Sequence, residues 1–148
     1  MNVAAVTILL AVIAGALTAL QAPTNAMLSR PLDSPVTAAF FSFLVGTVAL
    51  GILALMLPSR PEFSGVRALP WYAWLGGLYG ACLVTVAAFG APRIGVGVLF
   101  TAIIAGQLVA AVALDHYGLL GLEKQEISLP RVAGLILVFA GVVLVRRG

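Results

Sequence analysis

Apolar runs long enough to cross a lipid bilayer dominate the sequence, and none carries Asp, Glu, Lys or Arg through its middle. A hydrocarbon core of about 30 Å needs roughly 20 apolar residues in helical form. Four runs meet that length, 3–22, 35–57, 70–91 and 95–114, each bounded by Pro, Gly or charge. A fifth, 129–145, reaches it only with Leu129 and Arg131 included, Arg131 and Arg146 snorkelling from its two ends. The expected architecture is an all-α membrane protein, a single domain over residues 1–148 built from five transmembrane helices.

Composition supports that class. The chain is 62% hydrophobic and 9% charged, against about 45–50% and 25% in soluble domains. A chain of 148 residues is too short to hide that much apolar surface in its own core, so the excess faces lipid. The Lys and Arg residues sit singly or in pairs at the edges of the runs, which excludes a nucleic-acid surface. Cys82 is the lone cysteine, so neither a disulfide nor a CxxC site is available within the chain, and it reads as a small core residue. The first residues lack the basic region of a signal peptide, and the first helix is expected to be retained.

The polar side chains inside the spans are few. On the first helix Thr7, Thr18, Gln21 and Asn25 share one stripe, with Ala11 and Ala14 between them and Leu28 continuing it. Pro23 lies in this stripe, where its missing N–H and its ring predict a kink and a freed carbonyl near Ala19. Gln107 is the matching amide on the fourth helix, with Phe100 and Ile103 on its own face, and Tyr79 and Thr85 add hydroxyls on the third. The candidate substrate-binding set is therefore Gln21, Asn25, Gln107, Thr18, Tyr79 and Thr85, lining a central cavity. The alternative is that the amides tie helices together, at about 0.6 kcal/mol per interhelical hydrogen bond. With no carboxylate in mid-span, a charged solute meets no fixed counter-charge, which points to a small polar solute that is neutral, zwitterionic or weakly charged.

Asp115 and His116 form the only adjacent pair able to carry a proton, since His changes charge near neutral pH. They are candidates for coupling or gating. The competing reading places them at the membrane interface, with His116 favoured by a helix C-terminus and Asp115 anchoring the next loop. No further His or usable Cys completes a metal site, and no cofactor is expected. Ser42 and Thr47 have no His near them and no acid–base pair lies deep in a span, so enzymatic catalysis is not expected.

Small residues recur at spacings that let helices approach: Gly76 and Gly80, Gly97 with Thr101 and Ala105, Ala102 with Gly106 and Ala110, and Gly134 with Gly141. Trp71, Tyr72 and Trp74 after Pro70, and Tyr117 after the fourth helix, mark one membrane interface. The connection 115–129 mixes leucines with Glu123, Lys124 and Glu126 and is expected to lie on the membrane surface.

Five crossings put the two ends of the chain on opposite sides. Arg60, Arg67, Lys124 and Arg131 then share the side of the N-terminus, and Arg30, Arg93, Arg146 and Arg147 the other. Four against four gives no bias, and Lys/Arg bias is what sets orientation. Such a chain can insert both ways and pair with an upside-down copy, giving an inverted repeat, a common transporter plan. A later cue such as Arg146 and Arg147 would instead fix one orientation.

The residues also resemble a known family. Ala14, Gly15, Gln21, Asn25, Leu28 and Gly46 are similar to the first half of the small five-helix branch of the drug/metabolite transporter superfamily, the YdcZ-like proteins. Gly106-Gln107, Asp115-His116-Tyr117-Gly118, Gly121, Ser128, Arg131, Gly134 and Gly141 resemble its second half. The resemblance implies a bacterial inner-membrane half-transporter assembled from two five-helix units of opposite orientation. The small multidrug exporters of that superfamily rely on a first-helix carboxylate, where this chain has Gln21. Three assemblies follow as alternatives: an antiparallel homodimer moving a small molecule, a heterodimer with an oppositely oriented homologous partner, and a non-transporting scaffold.

Overall fold

Asp33 and Ser34 are all that separates the first two helices, and both are suited to the place. In the computed structural model, which describes residues 2–58 and 65–148, α1 spans Val3–Leu32 and α2 Pro35–Met56. Asp33 takes the left-handed conformation at φ 48°, which Asp tolerates better than most residues. Its N–H donates to Arg30 O at 3.4 Å, and the Ser34 N–H to Ser29 O at 3.2 Å, closing the end of α1. Ser34 Oγ accepts from the Thr37 N–H at 3.1 Å while Pro35 takes the first helical position, a strong start signal for α2. So short a link makes α1 and α2 an antiparallel hairpin.

α1 runs ten residues past its expected end at Ala22, through Pro23 and Pro31. Membrane helices tolerate internal prolines where neighbouring hydroxyls and helices cover the freed backbone. The Thr24 hydroxyl next to Pro23 donates to Gln21 O at 2.8 Å and Leu20 O at 3.2 Å. The remaining helices are α3 (Gly76–Ile94), entered through a tight turn at Trp71–Leu75, α4 (Val96–Tyr117) and α5 (Leu129–Arg147). Among the described residues these five helices are long and apolar enough to cross a membrane, and no strand occurs. Arg60 lies outside the described residues.

Contacts group the chain into two units, Met1–Arg93 and Ile94–Gly148. In the first, burial is confined to one end of each helix. It takes in Ala22, Asn25 and Ala26 late in α1, Ala38 and Ala39 early in α2, and Val84, Ala87, Ala88 and Ala91 late in α3. Residues 44–57 are exposed throughout. Lipid is as apolar as leucine and supplies no hydrophobic drive, so helices meet where small side chains let backbones approach. Between α2 and α3 the meeting point is a ring seated on a glycine: a Cβ at Gly80 would lie 3.2 Å from Phe43 Cζ. Cys82 is exposed, not a core residue as expected. At about 100° per residue it stands roughly 160° round α3 from Val84, on the uncovered face.

The second unit is the α4–α5 hairpin. Gly118, at φ 61°, ends α4 three residues beyond the expected Leu114, and a Cβ there would crowd Leu122 O and Lys124 Cβ at 3.3 Å. The connection is accordingly shortened to residues 118–128. Leu99 and Ala105 are the buried residues of α4, and Gly97 lies under Val145 of α5.

Gly80→Leu should displace the Phe43 ring and lower the thermal midpoint in detergent, at a cost of about 1–3 kcal/mol for overpacking. Gly51→Ala, whose added Cβ meets nothing within 4 Å, should leave the midpoint unchanged or raise it. Equal melting of Gly80→Leu and wild type would contradict the packing described.

Candidate functional site

The α1–α2 hairpin fixes the depth of the amides. Gln21 Nε2 donates to Ser42 Oγ at 3.4 Å, a long bond between the two helices. Extended along both helices, the register of that pair would set residues 7–28 against 56–35, a stretch of about 33 Å that matches the hydrocarbon thickness. Thr18 then falls near mid-membrane, Gln21 about 5 Å from it and Asn25 about 11 Å, at 1.5 Å per residue.

Gln21, Ser42, Phe43, Gly46, Thr47 and Leu50 line a recess of about 190 Å³. Its chemistry is one amide and two hydroxyls over apolar walls, with no formal charge. On the α3 side of Phe43 a second recess of about 270 Å³ is lined by Val36, Ala39, Phe40, Ala81 and Thr85 together with the same ring. Phe43 is thus a wall of both, and Thr85 reaches the second and not the first. Ser42, Phe43 and Thr47 line this recess from α2 and lie outside the polar stripe of α1. Mirrored counting from the two-residue turn would set Gln21 against Gly46, so the pairing with Ser42, one helical turn nearer the turn, carries no signal in the sequence.

The other candidates divide. Thr18 is half-buried, and its hydroxyl donates to Ala14 O at 2.8 Å. Asn25 is 5% exposed, and its Nδ2 has no hydrogen-bond partner, a costly state for a buried amide. Tyr79 is exposed. Gln107 stands at the midpoint of α4, is exposed, and makes no side-chain hydrogen bond among the described residues. Of the glycines at packing spacings, Gly80 carries the Phe43 ring. A Cβ at Gly76, Gly106, Gly134 or Gly141 would meet no neighbour within 4 Å.

Asp115 and His116 occupy the last turn of α4. Asp115 Oδ2 lies 3.7 Å from Arg131 Nη1, an ion pair beyond hydrogen-bond range, and the Arg131 guanidinium donates to Gln125 Oε1. The Asp115 carbonyl also accepts from the Gln125 N–H at 2.8 Å and the Gly118 N–H at 3.3 Å. Together these contacts form a clasp holding residues 118–128 across the mouth of the hairpin. The His116 ring meets Tyr117 edge-on at 4.9 Å between centroids, and its Nδ1 is buried without a partner. No group of three His, Cys, Asp or Glu that could hold a metal occurs among the described residues.

Compared with known proteins, residues 6–144 match the model of a family described as "Putative inner membrane exporter, YdcZ". No curated protein and no solved structure matches the chain.

If the clasp is structural, Asp115→Asn and Arg131→Gln should each speed amide exchange in residues 118–128. The double variant should add little, giving a coupling of about 0.2–1 kcal/mol as for other exposed ion pairs. Exchange that is unchanged in both single variants would remove the clasp.

Proposed function

From the chain's membership of the YdcZ family of inner membrane exporters, which the match over residues 6–144 establishes, we propose that it is one half of an exporter. Two copies of opposite orientation form the transporter and move a small polar metabolite that is neutral, zwitterionic or weakly charged. The observation that carries this reading is Gln107, an exposed amide without a hydrogen bond at the centre of a membrane helix. Left against hydrocarbon, such a group costs several kcal/mol, so it calls for protein or a water-lined cavity beside it.

Inversion about an axis in the membrane plane keeps a mid-membrane residue at mid-membrane. A residue at the centre of its own span, as Thr18 and Gln107 are, would therefore keep its depth in both copies of an inverted pair, while the two copies of Gln21 would lie about 10 Å apart in depth. The recess with Gln21, Ser42 and Thr47 supplies donors and acceptors and no charge, which suits an uncharged or internally compensated solute. The equal division of Lys and Arg, four to a side, supports insertion in both orientations. Access then alternates by rocking of the two halves around the shared site. The hydroxyls of Tyr79 and Thr85 on α3 and the orphaned Asn25 amide complete the proposed lining. The clasp geometry favours an anchoring role for Asp115 over a coupling role.

Efflux from proteoliposomes, screened over polar metabolites with and without a pH gradient, should identify a substrate. Its rate should fall about five- to tenfold in Gln107→Leu and in Gln21→Ala, the size expected for one lost neutral hydrogen bond. A reporter fused to the C-terminus should be found on both faces of the membrane. Undiminished flux in both variants would reduce the amides to helix ties, and a reporter confined to one face would rule out the inverted homodimer.

A further inference from the structure

The two arginines at the end of α5 are distinguished by what surrounds them. Val142, Val143, Arg146 and Arg147 line a recess of about 400 Å³. On a helix, Val142 and Arg146 are four residues apart, as are Val143 and Arg147, so each guanidinium stands one turn above a valine. The recess therefore has an apolar floor facing the hydrocarbon and two planar cations at its rim.

Among the described residues neither guanidinium is in use. Arg131 is paired with Asp115, and Arg93 lies over the Phe89 ring while donating to the Phe89 carbonyl. Among the described residues Arg146 and Arg147 have no side-chain hydrogen bond and no carboxylate within ion-pair distance.

The acids of the chain sharpen the contrast. With five crossings, Lys and Arg are expected to divide equally between the two sides, but Asp and Glu are not. Asp33 alone shares the side of Arg30, Arg93, Arg146 and Arg147, four minus one, or +3. Glu62, Asp115, Glu123 and Glu126 share the side of the other four cations, four minus four, or zero. On the topology expected from five crossings, the whole formal charge of +3 would fall on the side where α5 ends.

We propose that the α5 recess is a binding site for an anionic phospholipid. The phosphodiester sits between Arg146 and Arg147, which offer planar donor pairs matched to phosphate oxygens. The upper acyl chain lies on Val142 and Val143. Cations clustered at a helix end attract anionic headgroups at about 1 kcal/mol each, and the valines give the site an apolar requirement that inorganic phosphate cannot meet. This assignment does not depend on the transport reading.

The test is lipid retention on the purified full chain, measured by native mass spectrometry with phosphatidylglycerol and phosphatidylcholine of identical acyl chains. Wild type should retain phosphatidylglycerol in preference. Arg146→Gln with Arg147→Gln should lower that retention about thirtyfold, two cations' worth of attraction, while Arg30→Gln should leave most of it. Val143→Asn should weaken retention without altering the thermal midpoint. Equal retention of the two lipids by wild type, or an unchanged preference in the double arginine variant, would overturn the proposal. Full displacement of the lipid by millimolar inorganic phosphate would also overturn it, in favour of a free-anion site.

Discussion

In hydrocarbon a backbone N–H or C=O has no water to turn to, and that requirement organises the chain from end to end. It explains why α1 and α2 begin, and α4 ends, at residues that replace a missing partner. Asn2 and Ser34 accept the first amides of α1 and α2, and Gly118 bends the chain so that its N–H closes α4 on Asp115 and Leu114. α1 continues through two internal prolines, each of which deletes one amide donor; at Pro23 the Thr24 hydroxyl turns back on Leu20 O and Gln21 O, next to the freed Ala19 carbonyl.

Satisfying the backbone does not hold helices together, and here the bilayer withdraws the force that packs soluble proteins. Among the described residues the buried set is mostly alanine with Val84, Leu99 and Asn25, and no large side chain is fully enclosed. Proximity comes from smallness, and the specific contacts are few: the Phe43 ring on Gly80, the Gln21–Ser42 bond, and the Asp115–Arg131 clasp. A structure held by so few contacts leaves recesses between its helices, and two of them share Phe43 as a wall. In a transporter such looseness is useful, because helices that meet through small residues can rock without dismantling a core.

The spans were legible in the sequence because hydrocarbon thickness is a length requirement that composition must meet. Their ends were less so. Ala22 reads as an end because Pro23 follows it, yet α1 continues through that proline, as membrane helices do. Leu114 reads as an end because Asp115 is charged, yet a charge at the interface can stay helical. The amides were found because they are rare in apolar runs. What the sequence hides is facing. Cys82 is as apolar as its neighbours, and only the packing of α3 turns it outward. Ser42 carries no signal until the hairpin register sets it opposite Gln21. Likewise Gly80 and Gly76 belong to one motif, but only Gly80 has a ring against it.

Inversion treats the parts of this chain differently, and that difference separates its two proposed sites. A residue at the bilayer centre keeps its depth when the chain is turned over, so two copies can share a central polar site without a change of sequence. A residue at a helix end exchanges leaflets. The α5 recess of one copy would then face one leaflet and that of its partner the opposite one. Each meets anionic headgroups wherever its leaflet supplies them. A leaflet richer in such lipids would hold the +3 face of one copy more firmly than that of the other. An assembly that is symmetric in its protein would then be asymmetric in its anchoring, so the two directions of rocking would start from unequal energies.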